Sequence, residues 1–191
     1  MKRLYCLLFI LCIGTNYVWA QQLSEESIRL KKVFTKYQEV KDAPEWHLRL
    51  IDAFPNNKDV FMDMFNAPEK DQLYHDSHDY MMAFKHSSNS YPDMALHKSL
   101  SISTELLTWS AGPVDDLQET IYHIALHNAD TFIQTISLYN KKAIADIAHF
   151  LTSSQSGKLH PDYSKLIALL EVKEQKRLAK IFRKEIPDYE R

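Results

Sequence analysis

The chain has two cysteines, Cys6 and Cys12, and none in the 179 residues that follow. That excludes disulfide staples, thiolate metal ligands and cysteine catalysis from everything downstream of Cys12. Glycine is as scarce, with three in 191 residues. So few glycines exclude a glycine-rich phosphate loop and argue against a strand-rich domain, whose tight turns use glycine often. Charge of one sign is also missing. With a formal net charge of −2 there is no basic footprint for nucleic acid. Long apolar runs are absent too. Leu4 to Ile13 is ten residues, too short to span a bilayer.

That short run has a different use. Lys2 and Arg3 precede it, and Val18-Trp19-Ala20 places suitable residues at −3 and −1 of a cleavage after Ala20. This is the build of a secretory signal peptide over 1–20, followed by one helical domain over 21–191. Export to the periplasm or the extracellular space is therefore expected, with no stable membrane insertion after cleavage. A lipid anchor on Cys12 is disfavoured, because bulky Leu11 precedes it inside the apolar run. Cleavage leaves 171 residues, enough for a substantial core, with 21 basic residues against 25 acidic ones.

The remaining chain reads as helix. Four of its prolines, Pro44, Pro92, Pro113 and Pro161, stand where helices would start, since a first-turn residue needs no N–H partner. Apolar stripes at helical spacing run through Leu117, Ile121, Ile124 and Ala125, through Ile144, Ile147, Ala148 and Leu151, and through Leu166, Leu169 and Leu170. The pattern predicts helices at 24–40, 44–54, 58–66, 69–86, 92–109, 114–128, 130–139, 141–152, 162–171 and 173–185. Asp42, Asn57, Asp130 and Asn140 are the expected N-caps. Short connections imply a compact all-α stack of about ten helices in antiparallel hairpins. The pairs 114–128/130–139 and 141–152/162–171 have the length of α-solenoid hairpins but share no repeat signature. Helix 114–128 is apolar nearly all round, with Tyr122 and Leu126 on its far side, and is expected at the centre.

Chemistry is harder to find. Nine histidines follow the signal, and two pairs have ligand-like spacing: His75 with His78, and His123 with His127. Residues three or four apart share a helix face, so two such helices brought together would offer four metal ligands. Against this, the residues between His123 and His127 are Ile124, Ala125 and Leu126, with no glutamate for a zinc-hydrolase motif. The preferred reading makes the histidines a polar helix flank, with no metal and no cofactor. Asp115-Asp116 after Pro113 reads as acid complementing a helix N-terminus. Trp109-Ser110-Ala111-Gly112 lacks the first glycine of a nucleophile elbow. The basic stretch Lys173, Lys176, Arg177, Lys180, Arg183 and Lys184, interrupted by Glu171, Glu174 and Glu185, reads as a solvated helix face. Aromatics are dense at Phe54, Phe61 and Phe65 and again at Tyr74, Tyr80 and Phe84. Helical spacing assigns most of them to the core; any left exposed would mark a partner surface.

The run Leu48 to Asn57, with Phe54-Pro55, followed by Phe61, Met64 and Phe65, resembles the opening of a family of small secreted all-helical proteins from Bacteroidetes-type bacteria. Asp71-Gln72-Leu73-Tyr74 resembles that family's Pro-Leu-Tyr segment with the proline lost. Asn128 to Phe132 and Ile147 to Leu151 resemble its closing helices, and Ala20-Gln21-Gln22 its signal end. The likeness covers most of 44–185 and implies a fold. The family is functionally uncharacterised, so no catalytic residues carry over. Taken together, the sequence points to an exported, non-enzymatic protein that binds another protein, an immunity or inhibitor protein being one concrete form. The alternative is a histidine-assisted or metal-dependent hydrolase using His75, His78, His123 and His127.

Overall fold

The computed structural model describes residues 23–41, 43–65, 73–104, 106, 112–152 and 158–188. The signal segment 1–20, the cap expected at Asp42, and Asp71, Gln72 and Trp109 to Ala111 lie outside the described residues. Within them the chain forms ten helices and no strand. These are α1 (Glu25–Glu39), α2 (Pro44–Ala53), α3 (Lys58–Phe65), α4 (Ser77–Ser87), α5 (Pro92–Ser103), α6 (Pro113–His127), α7 (Ala129–Ile136), α8 (Lys141–Thr152), α9 (Pro161–Val172) and α10 (Lys176–Glu185).

Local chemistry explains most of the boundaries. Four helices open on proline, at Pro44, Pro92, Pro113 and Pro161. Asn57 caps α3 through Val60 N–H, and Asn140 caps α8 through Ala143 N–H, both at 3.0 Å. Asp130 is not a cap. A single residue, Asn128, separates α6 from α7, so Asp130 falls inside the first turn of α7, where its carboxylate meets Lys173 at 2.9 Å. Helix α4 starts at Ser77 rather than 69, after a turn in which Ser77 N–H bonds Tyr74 C=O. Helix α5 stops at Ser103. Near its end Ser99, Ser103 and Thr104 turn their hydroxyls back onto the carbonyls of Ala95, Leu100 and Ser101, a bond that competes with helix continuation.

The stop after α9 falls where the pattern expects it, but the connection that follows is longer. Gln175 N–H bonds Leu170 C=O at 2.7 Å and Glu174 N–H bonds Glu171 C=O at 2.9 Å, with Glu174 left-handed at φ 57°. This is the Schellman arrangement, normally built on glycine. It delays α10 to Lys176.

Helices α1 and α2 form an antiparallel hairpin: Arg29 pairs with Asp52 at one end, and the Tyr37 and His47 rings meet at the other. Helix α4 packs on α2. Helix α6 lies at the centre, against α4, α5, α7 and α9. It runs parallel to α4, because Asp116, Glu119 and His123 meet His78, Lys85 and Asn89 in the same order. The 141–152/162–171 hairpin does not form as expected. Helix α8 packs chiefly on α10, and α9 packs on α10 and α6. An apolar stripe needs a partner, but sequence adjacency does not choose it.

The core is aromatic at the α2–α4 end. Phe54 stacks on Phe84 at 3.9 Å, Phe61 and Phe65 lie 5.3 Å apart, and Phe34 meets Tyr80 at 4.1 Å. Phe61, Phe65 and Phe84 are wholly buried, so the corner at Pro55 is core. Each such side chain contributes roughly 1.5–3 kcal/mol by leaving water. Elsewhere, helix ends are closed by side chains of neighbouring helices. Gln118 donates to Phe150 C=O, and Tyr122 O–H donates to Leu151 C=O at 2.7 Å. Tyr163 O–H donates to Phe182 C=O at 2.7 Å, and Lys98 to the carbonyls of Asp52 and Phe54. These bonds satisfy carbonyls that a helix cannot pair internally.

Candidate functional site

The structure brings His123 and His127 together, but His75 lies in the turn before α4 and so does not share a helix face with His78, and the two pairs stand apart. His78 Nδ1 lies 3.0 Å from Asp116, near the start of α6, and His75 is exposed beside the Tyr74 ring. His123 donates from Nε2 to Asn89 at 2.7 Å, and His127 donates from Nδ1 to His123 C=O at 2.8 Å, their rings 4.5 Å apart. Asp116 and His123 are seven residues apart on α6, or about 10 Å along the axis. The four histidines therefore do not converge. Among the described residues no group of three or more histidine or carboxylate side chains is placed to hold a metal. Burial, then the facing His127 and Lys85, lowers the His123 pKa below its ordinary value.

Two polar arrangements escaped the sequence reading. His47 on α2 meets Ser87 on α4 at 3.0 Å, with the rings of Tyr37 and His86 each 5.3 Å from its own. A histidine beside a serine is the start of a nucleophilic site. Ser87, however, is fully buried, and among the described residues no carboxylate bonds His47. The pair ties α2 to α4. At α9, His160 accepts from Asp162 N–H through Nδ1 at 3.2 Å, so its Nε2–H donates to Glu119 at 3.1 Å. Glu119 also meets Lys85 at 3.4 Å, and the His160 ring stacks on Tyr122 at 4.2 Å. This network positions α9 against α6. Both clusters link residues more than 35 positions apart, which no local pattern signals.

Among the clefts that face solvent is a groove between α8 and α10, of about 760 Å³. Ala145 and Ile181 form its floor. Lys141 and Lys142 stand on the α8 bank, and Arg177, Lys180 and Lys184 on the α10 bank, with Glu185 the one carboxylate of the lining, at the end of α10. The helices run side by side in the same direction, with His149 facing Glu185 at 3.8 Å near their ends. Lys142 is paired with Asp146 at 2.7 Å. Among the described residues Lys141, Arg177 and Lys180 have no ion pair. The banks also run against the usual charge order of helices. The other eight helices carry an acidic side chain in the first turn, which complements the positive N-terminal end. Helices α8 and α10 carry none there; they begin with Lys141-Lys142 and Lys176-Arg177. Two positive helix ends and their cations thus gather at one end of the groove.

A second cleft, of about 460 Å³, lies between α1 and α2, where Trp46, Ile28 and Val33 meet and the Arg49 guanidinium sits 4.9 Å above the Trp46 ring. Glu25 lies among its cations, Arg29, Lys32 and Lys36. Among the described residues no helix is long and apolar enough to cross a membrane. No protein-family model, curated protein or solved structure matches the chain.

Proposed function

We propose that this is an exported, non-enzymatic protein that acts by binding another protein, through the face formed by α8 and α10. The observation that carries this reading is the open groove with an apolar floor and cationic banks. Apolar floor beside charged rim is the composition of a recognition surface. The buried Ser87 and the separated histidine pairs offer no comparable arrangement for turnover. The leader-like residues Met1 to Ala20 support export. Kinship with the small secreted helical family belongs to the same reading, resting on the Leu48 to Asn57 run. Blocking a partner's cleft, as inhibitors and immunity proteins do, suits a rigid helical stack.

The test is site-directed photo-crosslinking in the native host. A photoreactive residue at Arg177 should yield one discrete adduct with an envelope or secreted protein, identified by mass spectrometry. The same residue at Lys31, on the exposed face of α1, should not. Identical adduct patterns from both positions, or no adduct from Arg177, would refute the proposal.

A further inference from the structure

The groove's chemistry also defines its occupant, on the premise that the protein binds another protein there. We infer that the groove between α8 and α10 receives an acidic amphipathic helix of the partner. The argument begins with the banks. Arg177, Lys180 and Lys184 recur at intervals of three and four residues, so they form one ridge along α10, about 10 Å long. Lys141 and Lys142 face that ridge from the start of α8. Between the banks the floor is apolar, at Ala145 and Ile181. A ligand that matches needs carboxylates on two sides and a narrow apolar stripe between them. An α-helix with an apolar stripe flanked by Glu or Asp has that cross-section, and helix-in-groove docking uses anchors at the same three- and four-residue spacing.

The position in the fold agrees. Helices α8 and α10 pack against each other and α10 packs also on α9, so a helix seated in the groove would extend the stack. The positive N-terminal ends of α8 and α10 add to the attraction for carboxylates at one end of it.

Other ligands fit less well. Ile181 is 9 % exposed and lies below the lysine rim, so a flat bilayer would meet the cations without reaching the floor. Among the described residues the groove is lined by no aromatic side chain on which a nucleic-acid base would stack.

The probe is a labelled synthetic peptide of about 14 residues, roughly 21 Å as a helix, with a Leu/Ala stripe flanked by Glu on both sides. A scrambled peptide of the same composition is the comparator. Fluorescence anisotropy with the full chain should show saturable one-to-one binding that weakens as salt rises from about 0.05 to 0.5 M. Scrambling should weaken binding by about tenfold or more, because the stripe then no longer meets the floor. Lys141→Glu with Lys180→Glu should weaken it by a similar factor, about tenfold or more, with the melting temperature unchanged. Ala145→Trp, which fills the floor at constant charge, should do the same. Lys32→Glu with Lys36→Glu, at the α1–α2 cleft, should leave binding intact.

Equal binding of the scrambled peptide, or full binding by the Lys141→Glu/Lys180→Glu variant, overturns the inference. So does groove-dependent binding of vesicles containing anionic phosphatidylglycerol with no binding of the peptide. A dimer in sedimentation that dissociates on Lys141→Glu/Lys180→Glu assigns the face to a second copy and overturns it as well. An Arg177 adduct without peptide binding rejects the acidic helix but leaves the protein-binding function standing. Peptide binding without any adduct in the host rejects that function and, with it, the premise of this inference.

Discussion

Replacing Tyr122 by Phe removes one oxygen from the centre of the molecule and nothing else. The side chain is 1 % exposed, and its hydroxyl donates to the Leu151 carbonyl at 2.7 Å. That carbonyl lies in the last turn of α8, where helical carbonyls lack an intrahelical partner, and among the described residues Tyr122 is its donor. The Phe ring keeps the volume and the 4.2 Å stack on His160, so packing is unaltered. The cost is therefore that of a buried acceptor left without its donor, about 1–3 kcal/mol. For a domain of this length each kcal/mol lowers the melting point by about 2–4 °C, so a fall of roughly 2–12 °C is expected. Circular dichroism at 222 nm measures it, with urea titration to confirm that the slope, and hence the unfolded state, is unchanged. Tyr74→Phe is the internal control: Tyr74 is half-exposed and makes no hydrogen bond through its hydroxyl among the described residues, so its change should stay within about 0.5 kcal/mol. If Tyr122→Phe melts with the wild type, the view that neighbouring side chains hold the helix ends together is wrong.

Truncation of Phe61 to Ala, in the wholly buried corner cluster, should cost about 3–5 kcal/mol, a large share of a typical domain's stability; a melt within a degree of wild type would make the corner a surface. High pH should unfold the protein through its buried phenols. Burial, then Asp76 and Asp79, pushes Tyr80 up to about 12, and burial drives Tyr122 and Tyr163 further above the ordinary phenol value of 10. A folded-state pKa above the unfolded one means that this stability is complete below pH 10 and is lost as pH climbs from 10 through 12. Tyrosinate absorbance at 295 nm should therefore rise for these groups together with loss of helix; ionisation of all three at pH 10 with the helix intact would refute the assignment.

Much of the fold was legible because each of its signals is local. Prolines at positions 44, 92, 113 and 161 marked four helix starts, and Asn57 and Asn140 marked two more. The apolar circumference of α6 correctly announced a central helix. What stayed hidden depends on contacts across the fold. The partner of α8 is α10 rather than α9, because the apolar stripe of α8 specifies that a surface be covered and not by which helix. The tyrosine and lysine bonds to helix ends carry no sequence signature, since the donors lie 19 to 46 residues from their acceptors. His47 and Ser87 come together for the same reason, with a separation of 40 residues.

The candidate groove was hidden by a three-residue error with a specific cause. Periodicity started the last helix at Lys173, which put Glu174 in its first turn and gave the helix an ordinary acidic beginning. The Schellman turn at Glu174, made without glycine, moves the start to Lys176. The first turn then changes from mixed charge to Lys176-Arg177, opposed to the helix dipole. Such an arrangement disfavours the isolated helix, by about 0.3–1 kcal/mol for each charge at a surface. The same opposition recurs at Lys141-Lys142 on α8, and these two helices are the ones that line the groove. A solvated basic face, which is how the stretch reads with the earlier boundary, gives no reason for cations to collect where the dipole repels them. An anionic partner in the groove does, because its carboxylates are attracted at once by the side chains and by the helix ends that those side chains oppose. On the proposed reading, the boundary of α10 therefore bears on function as well as on structure. Lys176→Glu with Arg177→Glu should restore the ordinary charge order and, by that argument, favour the helix while weakening the site.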